Sequence, residues 1–112
     1  MFKVNEGSSA RLSFLITDYD GAAVPVSNIS TATMSISDYD TNEVIVASQD
    51  IKSNITELGI CTVYLSGDTN RMVTETKPYE KHVISILVSG VGLSSTQVTN
   101  ETIYQVNNIK LR

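Results

Sequence analysis

The chain of 112 residues is predicted to be all-β: a two-sheet sandwich of about seven to nine short antiparallel strands in a single domain covering residues 1–112. Three observations predict it. Apolar and polar residues alternate with period two over several segments, turns rich in Asp, Asn and Gly separate those segments, and charged residues are few, at 18%. The β-branched residues that abound here are stiff at χ1 and pack well on a pleated surface. A chain of this length buries one core of ordinary size, not two.

From Ala10 to Thr17, Leu12, Phe14 and Ile16 share one parity against Arg11, Ser13 and Thr17, with Leu15 as the exception. Asp18-Tyr19-Asp20-Gly21 closes this strand as a turn. A short extended piece through Val24 to Val26 carries Pro25, which restricts it to an edge or an irregular crossing. Ser30 to Ser37 alternates Ala32, Met34 and Ile36 against Thr31, Thr33 and Ser35, and Asp38-Tyr39-Asp40-Thr41-Asn42 ends it. Val44 to Ala47 is its hairpin partner, and Ile51 to Ile55 is a further extended segment. Ile60 to Ser66 points Cys61, Val63 and Leu65 inward and Thr62 and Tyr64 outward. Gly67 to Asn70 reads as a turn, and Arg71 to Thr76 as a short helical turn before Pro78.

Lys81 to Ser89 is the most apolar strand. Ile84, Ile86 and Val88 lie on one face and Val83 and Leu87 on the other, which predicts a central strand covered on both sides. After a loop over Gly90 to Thr96, a last strand runs from Thr102 to Leu111. Tyr104 and Val106 share one parity there and Ile109 and Leu111 the other, so a bulge at Asn107-Asn108 is expected to realign them. Strand number and turn spacing together fit an immunoglobulin-like sandwich, with a small barrel as the alternative.

Composition excludes several functions. A net charge of -4 is poorly suited to gripping phosphate backbones, so nucleic acid is not an expected partner. No apolar run approaches the roughly 20 residues that span a bilayer, and the N-terminal Met-Phe-Lys-Val-Asn-Glu-Gly lacks the apolar segment of a secretory signal, so no membrane partner and a cytosolic start are expected. The single cysteine, Cys61, excludes an internal disulfide and a thiolate zinc site, and its apolar run makes it a small buried hydrophobe. No cofactor is expected. The triplets at Asn28, Asn54 and Asn100 are read as chance products of a chain rich in Ser and Thr.

The nearest approach to a repeat is Ile16-Thr17-Asp18-Tyr19-Asp20-Gly21 against Ile36-Ser37-Asp38-Tyr39-Asp40-Thr41. If the chain crosses back between them, both turns share a pole, and Asp18, Asp20, Asp38 and Asp40 become weak candidates for an oxygen-ligand calcium site. The plain alternative is that Asp and Gly simply make turns. Catalysis has little material: His82 reads as a structural or exposed strand-end histidine, and no carboxylate pair is signalled, so no enzyme is expected. Tyr79 is positioned as a corner tyrosine. Tyr19 and Tyr39, at the tips of the acidic turns, and the off-parity apolar residues Leu15, Val83 and Leu87 are the candidate partner interface.

Glu6-Gly7, Leu12-Ser13-Phe14-Leu15-Ile16, Asp18 to Val26, Ile29 to Ile36 and Asp38 to Ile45 resemble immunoglobulin-like proteins of tailed-bacteriophage virions, among them capsid-decorating, neck and baseplate domains. The resemblance covers roughly the first 46 residues. It implies a non-enzymatic virion structural or accessory protein, assembled in the bacterial cytoplasm and present in many copies. Such a protein docks on other virion proteins of a symmetric assembly by loop and sheet-edge contacts. The competing expectation is a carbohydrate- or host-surface-binding sandwich module using Tyr19, Tyr39 and the acidic turns, with or without calcium.

Overall fold

Alternation of side chains along extended backbone decides which residues meet. In the computed structural model, which describes residues 2–18, 20–90 and 97–111, seven strands form: β1 (Lys3–Asn5), β2 (Ala10–Leu15), β3 (Ile29–Asp38), β4 (Val44–Asp50), β5 (Ile60–Leu65), β6 (Tyr79–Gly90) and β7 (Gln97–Asn107). Five of them make one sheet in the order β1-β7-β6-β3-β4, and β2 and β5 make a second. All pairings are antiparallel except β1 with β7, which is parallel.

The inner face of the larger sheet is written in single parities. Ala32, Met34 and Ile36 of β3 lie opposite Val88, Ile86 and Ile84 of β6, and all six are buried. Cys61, Val63 and Leu65 of β5 meet them from the smaller sheet, with Leu12 and Phe14 of β2 partly buried alongside. Two strands cannot roof five. Ile16, Val24, Ile51, Ile55 and Met72, all from connecting segments, complete the core.

Pro25 precedes a 3-10 turn at Val26–Asn28 rather than an edge strand, and the expected extension over Ile51 to Ile55 is a 3-10 turn at Lys52–Asn54. Turning there buries both Ile51 and Ile55 while the three polar residues between them stay unburied. Arg71 to Thr76 is turn and bend without a helix. The last strand stops at Asn107, so no bulge realigns Ile109 and Leu111. Asn108 is buried instead, its amide donating to the carbonyls of Glu75 and Lys77 at 2.9 and 3.1 Å, while Ile109 is exposed. The register shift of β7 falls opposite Ile86 and Leu87. β6 is central as expected, but Val83 and Leu87 on its outer face are only partly buried. Most of the expected loop after Gly90, residues 91–96, lies outside the described residues.

Backbone packs closely where β6 ends. A methyl group added at Gly90 would lie 2.1 Å from the Asn28 carbonyl oxygen and 2.9 Å from the Ile29 Cα, whereas one added at Gly21, at φ +83°, would meet no atom within 4 Å. Gly90→Ala is therefore expected to destabilise by about 2 kcal/mol, since strand backbone must move, and Gly21→Ala by about 1 kcal/mol from its left-handed conformation alone. Urea unfolding of the two variants checks the order.

Candidate functional site

The parity that buries Ile84, Ile86 and Val88 continues toward the start of β6, and it buries His82 and Glu80. The parity of β3 continues to Asp38, and β7 supplies Tyr104. Asp38, His82 and Tyr104 form one row across three strands, because Asp38 is opposite His82 and His82 opposite Tyr104. This row lies at the pole of the sandwich where β3 ends and β6 begins. The relative exposures of Asp38, Glu80 and His82 are 2%, 2% and 0%, so the chemistry sits inside the core.

His82 Nε2 is 2.6 Å from Glu80 Oε2. The Glu80 carboxylate also accepts the backbone N–H groups of Val73 and Thr74, both at 2.9 Å, which fastens the 71–78 crossover to β6. Asp38 Oδ2 accepts the Thr41 N–H at 2.9 Å and its hydroxyl at 2.7 Å, shaping the β3–β4 turn. Asn70 donates from Nδ2 to the Ser8 carbonyl at 2.7 Å, which leaves its Oδ1 to accept the Tyr104 hydroxyl at 2.9 Å. With the Tyr104 proton committed, Tyr104 Oη faces His82 Nδ1, 3.4 Å away, as an acceptor. Nδ1 therefore carries a hydrogen, and Nε2 is the nitrogen directed at the carboxylates. Phe2 stacks on Tyr104 at 4.9 Å between ring centroids, closing the pole from the N-terminal side.

Such a cluster holds and orders protons or a cation. The Tyr104 phenol is pushed above the ordinary tyrosine range by burial and, secondarily, by the Glu80 carboxylate. Burial likewise raises the Cys61 thiol, which is fully enclosed and not poised as a thiolate.

The four-carboxylate site does not form. Thr17 bridges to Ala23 and Ile16 N–H donates to the Gly59 carbonyl, placing the first acidic turn beside the start of β5, whereas the second follows the far end of β3. The ten residues of β3, about 30 Å of strand, separate them. Asp18 Oδ1 accepts the N–H groups of Asp20 and Ala22, so Asp18, like Asp38, shapes its own turn. Asp40 is exposed and bridges to Lys77 at 3.5 Å. Among the described residues, the group of three that could hold a metal ion is instead Asp38, Glu80 and His82.

The candidate interface also divides. Leu15 is exposed on the outer face of β2, while Val83 and Leu87 lie on the outer face of the opposite sheet, so they form no common patch. Tyr39 is exposed; Tyr19 lies outside the described residues. Tyr79, read as a corner tyrosine, is exposed, and among the described residues the buried tyrosine is Tyr104. Sequence reasoning missed Glu80, Asn70 and Tyr104 as partners of His82. For Glu80, His82 and Asp38 the signal was present, since each extends an apolar parity already recognised; Asn70, in a turn, carried none.

Comparison with protein-family models, curated proteins and solved structures returned no match.

Tyr104→Phe strands Asn70 Oδ1 and His82 Nδ1 in the core and is expected to destabilise by about 1–3 kcal/mol. Because the folded phenol is raised above its unfolded value near ~10, its contribution is intact below that pH and is lost as pH rises through the folded value. Spectrophotometric alkaline titration should find Tyr104 protonated until the chain unfolds.

Proposed function

We propose that the chain is a non-enzymatic docking domain with an immunoglobulin-like sandwich, which binds a neighbouring protein subunit through the outer face of its β2–β5 sheet within a tailed-phage particle. The observation that carries the docking part is an apolar cluster in register. Leu15 and Ile60 lie directly opposite each other at 55% and 40% exposure, and Leu58, two residues before Ile60 in the chain, is 72% exposed. At the other end of the same face Tyr64 is 67% exposed and lies opposite Arg11. Aromatic and Arg side chains beside aliphatic anchors are the residues that protein interfaces favour. Among the described residues β2 has no strand partner besides β5, whereas β5 is also bridged at Cys61 by Ile55, so β2 offers a free backbone edge to a partner strand.

The order β7-β6-β3-β4 facing β2-β5 supports the immunoglobulin-like reading, since it matches the G-F-C-C′ and B-E strands of that architecture. The inter-sheet disulfide and the buried Trp of antibody domains have no counterpart here. Burial of Asp38, Glu80 and His82 supports the non-enzymatic reading. The phage setting is supported by the resemblance of residues 6–45. A domain that binds only the assembled lattice favours assembly by its binding free energy.

Leu58→Lys combined with Ile60→Lys is expected to leave stability within about 0.5 kcal/mol, as surface changes do, and to abolish co-sedimentation of the chain with phage particles at fixed stoichiometry. Wild-type protein that ignores particles, yet gains thermal stability with calcium or a glycan, would overturn the proposal in favour of a surface-binding module.

A further inference from the structure

We propose that Asp38, Glu80 and His82 form a buried site for one first-row divalent cation, zinc above others, ligated by His82 Nε2 and one oxygen from each carboxylate. The inference is independent of the docking surface, which lies on the other sheet.

One ligand atom from each residue lies within 4.8 Å of the other two. Donors around a single ion at metal–ligand distances of ~2.1 Å sit roughly 3–4 Å apart, so small side-chain rotations bring all three to bonding distance and leave a fourth position to water. An imidazole with two carboxylates suits a borderline ion such as zinc. Calcium, which takes about 6–8 oxygens, is poorly served.

Charge points the same way. Among the described residues the buried polar ones are Asp38, Asn70, Glu80, His82 and Asn108, with no Lys or Arg. Two carboxyl groups and one imidazole bury more acidic than basic groups together, and buried charge without an opposite partner is costly. A divalent ion with two carboxylates and a neutral imidazole sums to zero.

The hydrogen bonds around the cluster already orient it for coordination. Metal-bound histidines donate their second ring N–H to a fixed acceptor, and here Tyr104, anchored by Asn70, faces Nδ1 and leaves Nε2 to the ion. Glu80 is held by the Val73 and Thr74 amides and Asp38 by Thr41. His82 Nε2 and Glu80 Oε2, 2.6 Å apart, share a hydrogen bond across the position the ion would take. Binding exchanges the shared proton for the cation: the cation forms its bond to Nε2, and the proton leaves to solvent, one per ion. Because the three residues are buried, an ion enters only through local opening of the fold.

The test uses tag-free protein, stripped with chelator, unfolded and refolded with excess Zn²⁺ or Co²⁺, then desalted, so that slow entry cannot mask a site. Elemental analysis should find one zinc per chain, with release of one proton on binding in a weakly buffered titration. The melting temperature should rise by roughly 10 °C when free zinc is about one hundred times Kd, and Co²⁺ should give visible d–d absorption. His82→Gln and Asp38→Asn, each checked for folding by circular dichroism, should both lose the metal. Refolded wild type that retains no metal and shows no thermal shift overturns the proposal. So does a folded variant that keeps a full equivalent, which would place the ion elsewhere.

Discussion

The register between β3 and β6 is the constraint on which the rest depends. Strand side chains alternate strictly, so the pairing that buries Ile36 against Ile84 and Met34 against Ile86 leaves Asp38 and His82 no choice but to face each other inside the core. A slip of one residue would carry the polar groups to solvent and expose the whole aliphatic row. The hydrophobic effect thus fixes the register, and the register compels burial of polar groups that, unpartnered, would cost several kcal/mol.

Partners come from outside the strands. Glu80 draws in the amides of Val73 and Thr74, Asp38 those of its own turn, and Tyr104 reaches Ser8 by way of Asn70. The pole is therefore tied by polar contacts across five stretches of chain. The opposite pole is closed by Ile16, Val24, Ile51 and Ile55, which are apolar. The two ends of one sandwich are sealed by different physics, and the polar end carries the group of residues able to hold a cation.

The smaller sheet has the opposite character. Its inner side supplies Cys61, Val63 and Leu65 to the core, while its outer side shows Leu15, Leu58, Ile60 and Tyr64 to solvent. A strand apolar on both faces normally lies between two layers, and among the described residues nothing buries this outer side. The proposed docking face and the proposed cation site at the polar pole are separable, since no residue belongs to both.

By itself the sequence determined the features that local periodicity dictates: an all-β domain, the inward faces of β2, β3, β5 and β6, the turns capped by Asp18 and Asp38, and a buried Cys61. The parity of Glu80, His82 and Asp38 was legible as well. Their neighbourhood was not, because it depends on which strands pair and on a crossover brought back over β6. The tertiary structure alone decided that Tyr104 and Asn70 complete the cluster, that β3 holds the two acidic turns apart, and that Leu15 lies on the opposite sheet from Val83 and Leu87. Periodicity along one strand tells which side a residue faces; only pairing between strands distant in sequence tells what it faces.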